Sequence, residues 1–306
     1  MNTRVVLLQG GNSEERDISL KSSAAISKGL NSLGYEVIAV DPKDFNSAWD
    51  LGQKLISLKP FIVFNGLHGG EGEDGTIQAL LSLLNIPFTG TGMKGSALCM
   101  DKTMSYGIAS SIGIKTPAYL SIIKGQDYDI FRIGALFGFP LVVKPNDSGS
   151  SFGVTIVQSQ DQLPVAIQKA FQHSGRIIIQ KFIGGSELAV SVLGSEALPI
   201  VEIKVKDGWY DFTNKYTKGK SVYQVPAELS EEDTLRLQAM SLAIYNSFNC
   251  KGYARVDFRY DGEEFYFLEV NTLPGMTELS LTPMAAEKAG IDFPHLLEKI
   301  IQLSFE

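Results

Sequence analysis

The chain has 306 residues, of which 44% are hydrophobic and 20% charged, with a formal net charge of -7 at pH 7. This length suffices for two or three domains or one large α/β domain, and the acidic balance argues against a nucleic-acid partner, which needs a basic surface. Two isolated cysteines, Cys99 and Cys250, indicate a reduced compartment, and no apolar stretch is long enough to span a bilayer. We therefore expect a cytoplasmic protein without a membrane partner.

The first part of the chain alternates strand-like and helical stretches. Residues 4–9, 36–40 and 61–65 have the apolar character of buried strands, and residues 14–33 and 48–58 between them favour helices. This order predicts a parallel sheet that binds ligands at the carboxyl ends of its strands.

Glycine-rich loops follow two of these predicted strands, at residues 9–13 and 65–75. Glycine at such density indicates that the backbone approaches another group closely. Ser13 is the predicted N-cap of the first helix, with Glu14 and Glu15 in its first turn.

The middle of the chain, residues 96–182, predicts helix, strand 141–144, a glycine/serine loop, strand 154–157, helix and strand 177–180. A loop of this kind between two strands can cover a triphosphate with backbone N–H and hydroxyl donors. Lys144 ends a very apolar strand, which favours a phosphate partner for its ammonium group. Lys102 is a second candidate phosphate cation, although by itself it would be interpreted as a solvated helix charge.

The last region, residues 183–306, predicts strands, a long polar loop at residues 207–228, a helix at 231–248 and a hairpin. The Asp261-Gly262 pair between two apolar-alternating runs predicts the hairpin turn. Pairing of the two strands brings Asp257 beside Glu269, and the two-residue period puts Asn271 on the same face as Glu269.

These three side chains offer only oxygen ligands, the donor set that Mg²⁺ prefers when it also binds substrate phosphates. The alternative is a pair of acids at strand ends that face water. Arg255 and the loop at residues 272–276 flank the three residues and favour a functional site.

Residues 180–183, followed by Glu187, predict a hinge between two domains. Backbone groups of a hinge can bind the edge of an adenine, and a nearby carboxylate can accept from both ribose hydroxyls. The spacing by itself does not decide between this interpretation and a plain connection.

Together these residues resemble the ATP-grasp superfamily and, within it, the D-alanine–D-alanine ligase family over essentially the whole chain. The motifs that carry the resemblance lie at residues 10–20, 67–75, 100–102, 143–145, 149–151, 215–216, 254–257 and 269–277. The resemblance implies an α/β, three-domain ATP-grasp architecture in which a parallel α/β domain (1–95) precedes two α+β domains (96–182 and 183–306) that sandwich ATP. It also implies ATP-dependent joining of two D-alanines, through D-alanyl phosphate and a tetrahedral intermediate, for peptidoglycan synthesis.

The resemblance also implies a role for each matching residue. The implied ATP-binding residues are Lys102, Lys144, Ser151, Gln180, Lys181, Ile183 and Glu187. The implied ligands of two Mg²⁺ ions, which Mn²⁺ can replace, are Asp257, Glu269 and Asn271. The implied catalytic residues are Glu15, Ser150, Lys215, Tyr216, Arg255 and Gly275, and the implied D-alanine contacts are Glu15, His68, Arg255, Gly275, Ser280 and Leu281. We also expect a homodimer.

Three points stay open at this stage. Gln180 stands where the family commonly carries Glu, which leaves the affinity for ATP open. The general base could be Tyr216 or His68, or the second substrate could bind as the free amine. D-Lactate or D-serine could replace the second D-alanine, although Tyr216 argues against D-lactate because the depsipeptide ligases carry Phe there; another ATP-grasp carboxylate–amine ligase is a further alternative.

Overall fold

The computed structural model describes residues 3–205, 221–277 and 280–306. The predicted parallel sheet is confirmed: its strands β1 (Arg4–Leu8), β2 (Glu36–Val40) and β3 (Ile62–Asn65) run parallel in the order β2-β1-β3. The helices of this region are α1 (Arg16–Ser32), α2 (Ala48–Leu58) and α3 (Thr76–Leu83). Every residue of β3 is buried, as expected for a parallel strand covered on both faces.

The predicted N-cap at Ser13 is wrong. Helix α1 begins at Arg16 after Glu15, and no side chain caps it. The Ser13 hydroxyl instead donates to the carbonyl of His68 at 2.5 Å and accepts from the Glu15 N–H at 3.2 Å. The tertiary contact between the two glycine-rich loops thus replaces the local cap.

The middle region forms an antiparallel sheet of strands β4–β7 in the order β4-β7-β5-β6. These strands are β4 (Tyr119–Ile123), β5 (Leu141–Pro145), β6 (Thr155–Val157) and β7 (Arg176–Lys181). The helices are α4 (Met93–Met100), α5 (Lys102–Ser111), α6 (Ile130–Phe137) and α7 (Leu163–Ala170). Strands β5 and β6 pair as a hairpin, so the glycine/serine loop that joins them projects from one end of this sheet.

The third sheet has the order β11-β10-β8-β12-β13, with β9 beside β8. Its strands are β8 (Ser186–Leu193), β9 (Glu196–Ala197), β10 (Val201–Val205), β11 (Ser221–Gln224), β12 (Tyr253–Tyr260) and β13 (Phe265–Asn271). The helices are α8 (Glu231–Ser247), α9 (Leu281–Lys288) and α10 (Phe293–Leu303). Ser230 caps α8 by accepting the Asp233 N–H at 3.0 Å, which explains where this helix begins.

The polar loop predicted over residues 207–228 is wrong at its C-terminal end. Ser221–Gln224 is a strand that pairs antiparallel with β10. The adjacent residues Val222 and Tyr223 give this short segment the β propensity that the polar surroundings concealed. Lys215 and Tyr216 lie outside the described residues.

The first and third regions share one hydrophobic core. Leu7 and Leu30 of the first region belong to the same buried cluster as Leu273, Leu297 and Ile300 of the third. The middle sheet has its own cluster, built from the inner faces of its strands and from α7. The division of the chain at residues 95 and 182 stays a prediction. Within the described residues, no helix combines the length and apolar character needed to cross a membrane.

Candidate active site

A cavity of about 430 Å³ lies between the middle sheet and the third sheet. The glycine/serine loop covers one side of it, and strands β8, β10, β12 and β13 line the other. Eight of the predicted site residues line this cavity: Lys102, Lys144, Ser151, Gln180, Ile183, Glu187, Asp257 and Glu269. The side chain of Lys181 is exposed and does not join them, because alternate residues of β7 face opposite sides of the sheet.

Two buried lysines reach this cavity. Lys144 is 7% exposed, and its ammonium donates to the hydroxyl of Tyr106 at 3.0 Å. Lys102 is 5% exposed, donates to the carbonyl of Ser148 at 2.8 Å and lies 3.3 Å from a carboxylate oxygen of Glu269. The solvated-charge interpretation of Lys102 is therefore wrong. Burying two ammonium groups is costly unless anions compensate them, so this end of the cavity favours an anionic ligand.

The start of helix α5 places Lys102. Asp101 caps the helix by accepting the Met104 N–H at 3.0 Å. The Lys102 N–H donates to the Asn146 carbonyl at 3.0 Å, and the Asn146 side chain accepts from Thr103 at 2.9 Å. These bonds fasten the helix to the beginning of the glycine/serine loop.

The predicted pairing of the two carboxylates is confirmed. In the β12–β13 hairpin Asp257 lies opposite Glu269, Arg255 lies opposite Asn271, and a bulge follows Asp257. The Asp257 side chain is buried rather than solvated, and Arg255 donates to both of its oxygens at 2.7 Å. The Asn271 amide oxygen accepts from the Leu273 N–H at 3.1 Å.

The hairpin has the donor chemistry of a magnesium site, since two carboxylates and an amide oxygen lie on neighbouring strands. Arg255 and Lys102 hold those carboxylates in the present arrangement. Among the described residues, no group of three or more His, Cys, Asp or Glu side chains is arranged as a metal site. The donor set fits Mg²⁺, provided that the two cations release the carboxylates or pair with phosphate instead.

Glu15 connects the first region to the glycine/serine loop. The hydroxyl of Ser150 donates to a carboxylate oxygen of Glu15. The other carboxylate oxygen of Glu15 lies close to two glycines. A Cβ atom built on Gly149 would be 2.8 Å from this oxygen, and one built on Gly69 would be 2.5 Å from it. The absence of a side chain at both glycines lets the Glu15 carboxylate approach the backbone closely. Ser150 has φ +46°, an uncommon conformation for a residue with a side chain.

His68 lies where the first and third regions meet. Its Nε2 is 3.1 Å from the hydroxyl of Ser22, and its Nδ1 is 3.8 Å from the carboxylate of Glu73. The same Ser22 hydroxyl accepts from the N–H of Met276, the residue after Gly275, at 3.3 Å. A second cavity of about 250 Å³ lies at the carboxyl ends of β1 and β3, where the sequence predicted ligands, and His68 is part of its lining.

Ser280 and Leu281 begin helix α9, as predicted. Ser280 accepts from the Thr277 N–H at 3.0 Å, which closes the end of the loop that contains Gly275. The side chain of Leu281 packs in the core, so only its backbone can contact a ligand.

The predicted hinge is held by an arginine that the sequence analysis did not identify. Arg259 donates to the carbonyl of Ile183 at 3.2 Å and to that of Gly185 at 2.9 Å, and it lies 3.3 Å from a Glu187 oxygen. Arg259 stands two residues after Asp257 on β12. This spacing predicts that both side chains lie on the same face of the strand.

Sequence analysis also missed Tyr106. Its hydroxyl donates to the Oε1 of Gln180 at 2.9 Å and accepts from Lys144. Burial raises the pKa of this hydroxyl well above its ordinary value, so the group stays protonated. The sequence feature that would have identified Tyr106 is its spacing of four residues from Lys102. In a helix this spacing puts both side chains on one face of α5.

Comparisons with known proteins identify the family of the chain. Residues 108–302 match the family described as D-ala D-ala ligase C-terminus, and residues 41–91 match D-ala D-ala ligase N-terminus. The chain is 44% identical over 299 residues to the D-alanine–D-alanine ligase of Aquifex aeolicus, covering 97% of this chain and 99% of that protein. It belongs to the D-alanine–D-alanine ligase family. A second family member, from Syntrophotalea carbinolica, is 41% identical over 298 residues, covering 97% of this chain and 95% of its relative.

Solved structures of D-alanine–D-alanine ligases and related ligases have the same fold. The D-alanine–D-alanine ligase of Bacillus anthracis complexed with ATP superposes with a TM-score of 0.85 at 34% identity, covering 99% of this chain and 97% of that one. The VanG D-Ala:D-Ser ligase of Enterococcus faecalis superposes with a TM-score of 0.83 at 31% identity, covering 99% and 100%. The expected ATP-grasp fold class is thereby confirmed.

Proposed function

We propose that the protein joins two D-alanine molecules to D-alanyl-D-alanine for peptidoglycan synthesis, with conversion of ATP to ADP and phosphate. The near full-length similarity to D-alanine–D-alanine ligases supports this function. The observation that carries it is the cavity that places two buried lysines beside two carboxylates under a glycine/serine loop. Because the reaction consumes ATP, we place it in the cytoplasm, and we expect a homodimer there.

The cavity suits ATP in one orientation. Lys102, Lys144 and the loop at Ser151 would bind the phosphates, since buried ammonium groups need anionic partners. The base would lie along the hinge formed by Gln180, Lys181 and Ile183, and the ribose near Glu187. Lys215 would contact the transferring phosphoryl group.

The carboxylate hairpin would hold the metal. Asp257, Glu269 and Asn271 would bind two Mg²⁺ ions, or Mn²⁺ in their place. When bound, such ions neutralise charge on the phosphate oxygens and orient them for transfer. Arg255 leaves Asp257 for the substrate carbonyl in this scheme, and Lys102 turns from Glu269 towards phosphate.

The first D-alanine would be held by its ammonium group at Glu15. Its carboxylate oxygen attacks the γ-phosphorus of ATP, the bond to the β-γ bridging oxygen breaks, and ADP departs. The product is D-alanyl phosphate, which the glycine/serine loop shields from water through the contact of Ser150 with Glu15. Tyr216 would extend that contact from the polar loop.

The second D-alanine would bind its carboxylate at the start of α9, where Ser280 and the backbone of Leu281 lie at a helix N-terminus. Its free amine attacks the acyl carbon, and the developing oxyanion is stabilised by Arg255 and the N–H of Gly275. A donor of this kind typically contributes about 3 kcal/mol. Phosphate leaves as the tetrahedral intermediate collapses, and the amine proton passes to a base, with His68 and Tyr216 as the candidates.

D-Serine is a second candidate acceptor, because the chain also superposes on a D-Ala:D-Ser ligase over its whole length. Phosphate release from ATP distinguishes the acceptors when it is measured with D-alanine, D-alanine plus D-serine, D-alanine plus D-lactate, and L-alanine. We expect D-alanine by itself to give full activity and D-alanyl-D-alanine as the product by mass spectrometry. Activity with L-alanine, or release only when D-serine or D-lactate is added, would refute the proposed function.

A further inference from the structure

We infer that the nucleotide pocket also accepts purine nucleoside triphosphates that carry an oxygen at position 6 of the base. The Gln180 amide presents N–H donors that this oxygen can accept. This inference deepens the proposed function and rests on the proposal that the base lies along the hinge. The Gln180 side chain is 4% exposed and lines the cavity.

Two buried groups, the Lys144 ammonium and the Tyr106 hydroxyl, fix the orientation of the Gln180 amide. The ammonium of Lys144 can only donate, and it donates to the Tyr106 hydroxyl oxygen at 3.0 Å. Tyr106 is completely buried, so its hydroxyl must also donate a hydrogen bond to an acceptor. The acceptor is the carbonyl oxygen of Gln180 at 2.9 Å. A reversed amide would set its NH₂ group against the hydroxyl and leave the tyrosine proton without an acceptor.

The Gln180 Nε2 group therefore points away from Tyr106. Within the described residues it has no hydrogen-bond partner, and the side chain belongs to the cavity wall. An amide nitrogen carries two N–H donors, and these are costly to leave unmet once a bound ligand excludes water from the cavity, so an acceptor on the ligand is the group that satisfies them. The side chain thus selects an acceptor at the base end of the cavity.

The two classes of purine differ in what they offer such a donor. Adenine has a donor, the 6-amino group, between ring nitrogens that accept, whereas hypoxanthine and guanine have an accepting oxygen at position 6. A ring nitrogen of adenine can accept from the Gln180 amide, which lets ATP bind. The 6-oxygen of inosine triphosphate can accept from the same amide and makes an equally good contact. A carboxylate at position 180 would reverse this choice, because it accepts from both Tyr106 and a 6-amino group and would repel a 6-oxygen.

The test compares ATP with inosine triphosphate, which differ only at position 6 and the adjacent ring nitrogen. Phosphate release at saturating D-alanine gives kcat/KM for each nucleotide in the wild type and in Gln180→Glu. We expect the wild-type values to lie within about tenfold of each other, and Gln180→Glu to raise the ATP/ITP ratio at least about tenfold, as loss of a matched hydrogen bond does. No detectable activity with inosine triphosphate, or an unchanged ratio in the variant, would overturn the inference.

A second variant tests the orientation itself. Tyr106→Phe removes the hydroxyl that fixes the amide, so Gln180 can turn its oxygen to adenine, and the ATP/ITP ratio should rise. Tyr119→Phe is the matched control. Its ring packs 5.0 Å from that of Tyr106, but its hydroxyl takes no part in the hydrogen bonds that join Lys144, Tyr106 and Gln180. Thermal unfolding verifies that each variant folds.

Calorimetric binding of both nucleotides without D-alanine separates the two proposals. If the protein binds both but makes no dipeptide with ATP, the proposed function fails and the base selection stands. If it makes dipeptide but binds only ATP, the function stands and the inference fails.

Discussion

At the scale of single residues, Ser22 joins parts of the site that come from distant segments. Its hydroxyl accepts from the Met276 N–H and lies 3.1 Å from Nε2 of His68. We assign the Ser22 hydroxyl as the hydrogen-bond donor in its contact with Nε2 of His68, whose Nδ1 lies 3.8 Å from Glu73. Ser22 is therefore a positioning residue for both His68 and the loop of Gly275.

Replacing this hydroxyl should impair the chemistry more than nucleotide binding. A lost hydrogen bond that leaves buried partners unsatisfied costs about 1–3 kcal/mol, so we expect Ser22→Ala to lower kcat/KM for D-alanine by roughly tenfold or more. The KM for ATP should not change.

The neighbouring Ser23 provides a matched control. It is also completely buried, and within the described part of the chain its hydroxyl has no hydrogen-bond partner. Ser23→Ala should therefore leave kcat/KM unchanged and preserve or slightly raise the thermal midpoint. Equal losses in the two variants would reduce Ser22 to a packing residue.

At the scale of elements, the β12–β13 hairpin combines a rigid scaffold with charged groups at its end. Its cross-strand register puts Asp257 opposite Glu269, and Lys102 of α5 reaches Glu269 from outside the sheet. The hairpin thus positions both carboxylates without depending on a flexible loop.

We expect Glu269→Gln to abolish turnover while the thermal midpoint stays near that of the wild type, since the change removes a proposed charged metal ligand from a partly exposed position. Excess EDTA should abolish wild-type activity, and Mg²⁺ or Mn²⁺ should restore it. Glu264→Gln is the control: this acid lies on the same hairpin, pairs with Lys115 and Arg236 at the surface, and should retain activity. Full activity of Glu269→Gln at ordinary Mg²⁺ would rule out the metal assignment.

Much of this element could be predicted from the sequence. Alternation and the Asp261-Gly262 turn gave the pairing of Asp257 with Glu269, because both signals are local. The bulge after Asp257 and the contacts from Lys102 and Tyr106 depend on packing between segments far apart in the chain. Ser13 shows the same limit, since its predicted local cap gave way to a bond with the other glycine-rich loop.

At the scale of the whole molecule, the first and third regions are held together by helices α1 and α10. A Cβ atom on Gly29 would lie 2.7 Å from the Cδ1 of Leu297, so the two helices approach closely at this point. We expect this shared core to make the first and third regions one cooperative unit, and the bond from the Met276 N–H to Ser22 also joins them.

Truncating Leu297 tests this unit. The side chain is completely buried, and a Leu→Ala change at such a site typically costs about 2–5 kcal/mol. We expect a single unfolding transition in circular dichroism at a midpoint several degrees lower for Leu297→Ala. Leu235→Ala, which removes the same atoms from a side chain that is 60% exposed on α8, should change the midpoint little. Equal shifts of the midpoint for both variants would contradict a shared core.

In the proposed reaction, a D-alanine carboxylate in the cavity accepts the γ-phosphoryl group of ATP before the peptide bond forms. The most direct measurement follows ¹⁸O from the carboxylate of labelled D-alanine, using mass spectrometry of the released phosphate. The acyl phosphate route transfers one carboxylate oxygen to phosphorus, so each phosphate should carry one ¹⁸O atom and the nucleotide product should be unlabelled ADP. Unlabelled phosphate, or label recovered in AMP, would contradict an acyl phosphate intermediate.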